Sequence, residues 1–228
     1  MRGLGVGLTV LVIAVSLSAG LIASKRENFF DPSLYQNDYP CSLSDREPSG
    51  PLDDYIESWF AAPLRAAGER PIYLQDSSGK TTLRFTFLPA FVDPVIVRID
   101  DLYGDSPRLT ATRYVGQVHV EAGANHLVRD LSRDELAPIV SLIKNSTVLD
   151  LPPDSCLSGA DGVVYLIEAQ GPDGYRFINR WAVEEGAVYD LANAMYRLTG
   201  WPNGRQGPDR TDIDWPPRPN PVESISPA

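Results

Sequence analysis

Hydrophobic and polar positions change period several times between residues 51 and 200, and each change predicts a helix or a strand. An apolar set recurs at helical spacing near the start of this stretch: Ile56, Trp59, Phe60 and Leu64. We expect this first helix to begin near Pro51 or Asp53 and to end at Gly68, because glycine favours helix C-termini. Pro63 lies inside it and predicts a kink or a restart, since proline cannot donate a backbone hydrogen bond.

The pattern then changes to the two-residue period of β-strands, with short glycine, serine and aspartate turns between the runs. Strands are predicted at 71–76, 81–88, 94–101 and 109–121. Because short turns join the runs, the pattern predicts a β-meander.

The second helix has the clearest start signal in the chain. Ser132 and Glu135 have the spacing of a capping box, and Leu131 and Leu136 have the spacing of a hydrophobic staple. The buried stripe of this helix is predicted to be Leu136, Ile139, Val140 and Ile143.

A β-hairpin is predicted next, from strands at 163–170 and 175–182. A three-residue loop, Pro172-Asp173-Gly174, with glycine in the left-handed position predicts that residue 168 faces residue 178. Glu168 would then lie between Arg176 and Arg180 on a polar face, with Trp181 on the apolar face. We interpret this group as a cross-strand ion pair, and it is also the candidate binding site that the hairpin offers.

A last amphipathic helix is predicted at 187–199, ending at Gly200. The order of elements predicts one α+β domain at residues 51–200, with a largely antiparallel sheet and about three helices packed on one face.

The carboxyl half carries a recognisable pattern of Tyr165-Leu166-Ile167-Glu168, then Asp173-Gly174-Tyr175, then Asn179-Arg180-Trp181 and the closing helix. It resembles a group of uncharacterised bacterial exported proteins that share such a hairpin. The resemblance covers residues 130–200 and implies no activity and no functional residue.

The amino end predicts export. Arg2 precedes an uncharged run at 3–24, and Ser18-Ala19-Gly20 supplies the small residues that a signal peptidase requires. The run is also long enough to span a bilayer, so residues 1–24 are either a cleaved signal or a single membrane anchor. We expect the domain to be periplasmic or secreted, or tethered by this segment. Residues 25–50 are interpreted as a linker, and the proline-rich residues 201–228 as a disordered tail.

The two cysteines fit an oxidising compartment. Cys41 and Cys156 are the chain's only cysteines, and an even number in an exported chain suits one disulfide. Two unrelated buried thiols are the alternative.

Net charge and missing motifs narrow the function further. The formal charge of -10, with no basic patch, disfavours nucleic acid as a partner. The chain has no Gly-x-Ser-x-Gly elbow and no glycine-rich phosphate loop, and its only histidines are His119 and His126. We therefore expect no cofactor and no metal site.

These observations favour a non-enzymatic binding or interaction module of the cell envelope. Its partner would be an envelope protein or a small ligand, with membrane contact only through an uncleaved N-terminal segment. The alternative is an envelope hydrolase that uses scattered acidic residues with His119. It requires convergence of Asp100, Asp101, Glu121 and His119 on one pocket and a raised carboxylate pKa.

Overall fold

The computed structural model describes residues 28–35, 51–76, 79–90, 93–113, 126–156, 159 and 162–201. Within these ranges the chain forms three α-helices, α1 (Asp54–Ala66), α2 (Arg133–Ser146) and α3 (Ala187–Arg197). Its strands are β1 (Thr82–Pro89), β2 (Val95–Asp100), β3 (Arg108–Arg113), β4 (His126–Asp130), β5 (Val163–Gly171) and β6 (Gly174–Trp181).

The strands form one six-stranded sheet in the order β4-β3-β2-β1-β5-β6. Every neighbouring pair is antiparallel. β1 and β5 lie side by side in the middle although they are far apart in sequence. The predicted α+β class with an antiparallel sheet is confirmed.

Helices cover both faces of this sheet, so the prediction that they pack on one face is wrong. α2 and α3 pack on the face that carries Phe85, Val97 and Tyr165. α1 packs on the opposite face, which carries Leu88, Ile96, Leu166 and Phe177. The physical reason is that β1 and β5 are buried at successive positions, so both faces of the sheet must be covered.

The helix starts agree with their sequence signals. Asp53 caps α1, its carboxylate accepting from the backbone N–H of Ile56 at 2.7 Å. Pro63 lies inside α1, as predicted. At α2 the capping box of Ser132 and Glu135 is complete.

Residues 28–35 belong to the packed structure, although they fall in the predicted linker. Phe29, Phe30 and Leu34 are buried against α1 and the neighbouring strands. Phe30 meets Phe177 edge to face at a centroid distance of 5.3 Å. The core thus takes in chain that lies before Pro51.

Two of the predicted strands differ from the observed elements. The stretch predicted as a strand at 71–76 holds a 3-10 turn, Ile72–Leu74. Ile72 is buried while Leu74 is exposed. The two residues therefore do not lie on the same face, as they would in a β-strand. The predicted strand at 109–121 is observed as β3, which ends at Arg113, and residues 114–125 lie outside the described ranges.

Several sequence predictions fall outside the described residues. These are the segment 1–24, most of the linker, Cys41, His119, Glu121 and most of the tail. Among the residues that are described, no helix has the length and apolar character needed to cross a membrane.

Candidate functional site

The register of the β5–β6 hairpin decides which side chains can meet. Gly171 pairs with Gly174, which leaves the two-residue turn Pro172-Asp173, and Glu168 faces Phe177 rather than residue 178. The three-residue loop predicted from sequence is therefore wrong. Because the side-chain period of a strand is two, this shift by one residue reverses the face of every β6 side chain.

Glu168 forms its ion pair with a strand that sequence reasoning did not consider. Arg84 of β1 lies directly opposite Glu168. Its Nε donates to Oε2 of Glu168 at 2.8 Å, and its Nη2 lies 2.6 Å from the same oxygen. The exposed fractions of the two side chains are 0% and 1%. A charge pair this deeply buried is stable only while both partners are present.

Other groups complete the surroundings of Arg84. Its Nη1 donates to the backbone carbonyl of Arg70 at 2.8 Å and to Oε2 of Glu69 at 3.3 Å. The guanidinium lies over the ring of Phe29, 5.2 Å from the centroid. Arg84 is thereby held by groups from the sheet, the loop after α1 and the first described segment.

A second arginine extends the network toward the end of the sheet. Nη1 of Arg98 lies 2.6 Å from Glu69, and its Nε is 3.1 Å from both carboxylate oxygens of Asp100. Although burial alone would lower the pKa of Arg98, the neighbouring Glu69 and Asp100 carboxylates raise it. Arg98 therefore stays charged and fixes the carboxylate of Asp100.

Tyr175 closes the network on the side of β6. Its hydroxyl donates to Oε1 of Glu168 at 2.8 Å. Burial, with the added charge of Glu168, raises the pKa of this phenol well above its ordinary value. The Tyr175 hydroxyl consequently keeps its proton and remains a donor to Glu168.

One row of polar residues crosses the α1 face beside this network. Strand pairing places Gln170 opposite Thr82 and Asp100 opposite Arg108, and a contact between Thr82 and Asp100 joins the two pairs. The row borders a cavity of about 320 Å³. All its described lining residues are polar or charged: Gln75, Asp76, Lys80, Thr82, Asp100, Asp101, Ser106, Arg108 and Gln170.

One hydrogen-bond acceptor among the residues that line this cavity has no donor. Oγ1 of Thr82 lies 3.0 Å from Oε1 of Gln75 and 3.3 Å from Oδ1 of Asp100. Gln170 is only 8% exposed, and its buried Oε1 has no hydrogen-bond partner. A buried acceptor without a donor is costly, which marks this wall as a place where a ligand could bind.

The rim carries charges of both signs. Lys80, Asp101 and Arg108 make no ion pair with any residue that the structure describes. Asp101 adopts a left-handed backbone, with φ of 59°, and its carboxylate fills the space beside Gly104. The rim is thus open to charged groups of a ligand.

The structure does not bring the four predicted binding residues together. Glu168 is buried on the α1 face, whereas Arg176 and Arg180 project to the other face of β6. Arg180 donates to the backbone carbonyls of Asn179 at 2.7 Å and Pro152 at 2.9 Å. Trp181 packs at the α1-side core, and its ring lies where Cβ atoms at Gly159 and Gly162 would stand.

The acids proposed for a hydrolase are only partly described. Asp100 and Asp101 both line the cavity, while Glu121 and His119 lie outside the described residues. Burial raises the pKa of Asp154, but this carboxylate does not line the cavity. No group of histidine, cysteine and acidic side chains suited to a metal ion occurs among the described residues.

Arg84, Thr82 and Gln170 were not identified from the sequence. Arg84 carried no local signal, because in Leu83-Arg84-Phe85-Thr86-Phe87 apolar and polar residues alternate as they do on a half-exposed strand. The partner itself depends on the pairing of β1 with β5, which no local pattern specifies.

Comparison of the chain with protein-family models, with curated proteins and with solved structures finds no match.

Proposed function

We propose that this protein is an exported, non-enzymatic binding module of the cell envelope and that its site is the polar cavity beside Thr82. One observation supports the site above all others: Gln170 lines the cavity, and its buried Oε1 has no hydrogen-bond partner. A bound molecule that donates to this oxygen would remove the cost of leaving it unsatisfied.

The size and lining of the cavity support a small hydrophilic ligand. Its volume of about 320 Å³ is at the lower end of the range for ligand sites, and its lining residues, all polar or charged, favour a hydrophilic ligand over an apolar one. The wall is also rigid, because Asp100 is held by Arg98, which is itself held by Glu69. A preorganised wall loses little conformational entropy on binding.

The hydrolase alternative has less support. It requires a carboxylate with a raised pKa in the pocket, and the described carboxylate with a raised pKa, Asp154, lies elsewhere. Asp100 is committed to two contacts with Arg98, which suits a binding role better than proton transfer.

Thermal unfolding of the full chain in mild detergent tests the binding proposal. The panel consists of small polyols, carboxylates and amines at millimolar concentration, and at least one should raise the Tm. The Gln170→Leu variant should lose that increase, while Arg176→Met, on the other face, should keep it. A panel without any effect, or one that acts equally on Gln170→Leu, would remove the cavity as a ligand site.

Export is tested separately on the native protein recovered from its source cells. The intact mass should fall short of the full chain by about twenty residues if the predicted signal is cleaved. Thiols that become reactive only after reduction would show the predicted Cys41–Cys156 disulfide. A full-length mass with two free thiols would contradict both a cleaved signal and the disulfide.

A further inference from the structure

Helix α1 has an exposed apolar side in addition to the side that it buries against the sheet. The buried side carries Phe60, Ala61 and Leu64. The exposed side carries four residues that we call the outer stripe: Tyr55, Trp59, Ala62 and Ala66. Their spacing of four, three and four residues places them within about 60° of one another around the helix axis, as along the seam of a coiled coil.

The two aromatic residues of the outer stripe are well exposed, Tyr55 to 77% and Trp59 to 43%. A surface helix is normally polar on the side that does not face the core. We infer that the outer stripe is a dimerisation surface, on which α1 of a second copy of this chain packs antiparallel. The inference goes beyond the proposed ligand site, since it holds whether or not the cavity is occupied.

The sizes of the side chains favour the antiparallel arrangement. The large residues Tyr55 and Trp59 lie in the first half of α1, and the small residues Ala62 and Ala66 lie in the second half. A two-fold axis across the middle of α1 places Tyr55 against Ala66 of the second copy and Trp59 against Ala62. Large residues against small ones fill the space between two helices. A parallel pair would instead place Trp59 against Trp59 and alanine against alanine.

The charges at the two ends of α1 favour the same arrangement. Asp53 and Asp54 lie at its start, and Arg65 and Arg70 follow at its end. In an antiparallel pair the acidic end of each helix meets the basic end of the other, and the two helix dipoles also oppose. A bilayer is a poorer partner for this surface, because helices that lie on membranes carry mainly lysine and arginine on their polar side.

The short length of α1 limits the strength of the contact. Its 13 residues span about 20 Å. The outer stripe points away from the sheet, so two domains can approach without a clash, but the contact is confined to one helix from each. Such an area is small beside the roughly 1,600 Å² of a standard interface. We therefore expect a weak dimer that forms at high protein concentration.

Sedimentation equilibrium of the full chain in density-matched detergent micelles tests the inference. The apparent protein mass should rise from one chain toward two between about 10 and about 500 μM. Trp59→Ala should weaken the association at least about tenfold, because it removes a large aromatic anchor from the centre of the pair. Tyr103→Ala removes an aromatic side chain that is 53% exposed outside α1. This matched control should change the association less than about twofold.

A compensating pair of substitutions tests the antiparallel arrangement. Ala62→Trp alone should weaken the association at least about fivefold, since each new ring then meets Trp59 of the second copy. The double variant W59A/A62W again places tryptophan against alanine, and it should associate within about threefold of the wild type. Both positions are exposed, and circular dichroism should show unchanged helix content in each variant.

The possible results decide between a second copy and other occupants of this surface. A chain that stays monomeric over the whole range would overturn the inference. A dimer that Trp59→Ala leaves intact would also overturn it, because another surface would then hold the dimer. A double variant as weak as the single variants would overturn the antiparallel arrangement. Fluorescence quenching by brominated lipid that disappears in Trp59→Phe would place a bilayer, and not a second copy, on the outer stripe.

Discussion

Arg84 shows how one buried residue can join distant parts of the chain. It sits in the central strand β1 and contacts Glu168 of β5, Glu69 after α1 and the ring of Phe29. Removing a guanidinium from water is costly, and the cost is offset only by a full set of partners. Arg84 therefore has its full set of partners only when all these segments are in place.

Replacing Arg84 by Met should lower the free energy of unfolding by about 3–5 kcal/mol, because Glu168 is left as a buried carboxylate without its cation. Urea unfolding followed by circular dichroism measures this. The double variant R84M/E168L should recover much of the loss, since an apolar pair needs no ionic partner. The exposed Arg176→Met should stay within about 0.5 kcal/mol of the wild type. A loss below about 1 kcal/mol for R84M would show that the pair is dispensable.

At the scale of single elements, the start of α2 was the most predictable feature. Ser132, Glu135 and Leu136 are neighbours in sequence, so their geometry depends only on local backbone conformation. The structure shows the same contacts, with the backbone N–H of Ser132 donating to Glu135 at 2.8 Å. Local signals of this kind need no knowledge of the rest of the fold.

The hairpin shows the opposite case. The turn residues Pro172-Asp173-Gly174 were recognised from sequence, but this composition allows loops of two or three residues, and the choice reverses the faces of β6. Loop length is decided by packing, since Phe177 is buried against Phe30. The candidate site could not be predicted for the same reason, because Gln170, Thr82 and Asp100 come together only through strand pairing across the sheet.

The α2 cap also predicts a pH dependence. Hydrogen bonds from the backbone and side chain of Ser132, together with Arg129, lower the pKa of Glu135 to about 2. Since the folded pKa lies below the ordinary value of 4.5, this carboxylate stabilises the fold above about pH 4.5. The stabilisation is lost as the pH falls from there toward about 2.

Carboxyl-detected NMR titration of Glu135 should therefore give a midpoint near 2. Glu135→Gln keeps a hydrogen-bonding side chain that does not titrate. Its stability should fall less steeply between about pH 4.5 and 2 than that of the wild type. A Glu135 midpoint near 4.5 would mean that the capping box does not persist in solution.

At the scale of the whole molecule, both faces of the sheet are covered, where one was expected, and this changes which residues belong to the domain. Composition and element order predicted an antiparallel sheet with helices, and that much follows from periodicity. Burial of both faces was not predicted, because the residues that cover the α1 face come partly from a stretch that looked like a polar linker. Phe29 and Phe30 are adjacent in sequence, so they show no period of either a helix or a strand.

Because of this arrangement, the first described segment, residues 28–35, contributes to the stability of the sheet. Phe30 is fully buried and packs on Phe177 of the edge strand β6. Phe30→Ala should lower the free energy of unfolding by about 3–5 kcal/mol, as for large aromatic truncations in cores. Tyr55→Ala is the matched control, because Tyr55 is 77% exposed and its loss should cost less than about 0.5 kcal/mol.

Equal and small effects of the two substitutions in urea unfolding would show that residues 28–35 do not hold β6 in place. A large effect confined to Phe30 would mean that the folded unit begins before Pro51, and that chains shortened to residue 51 lack part of their core.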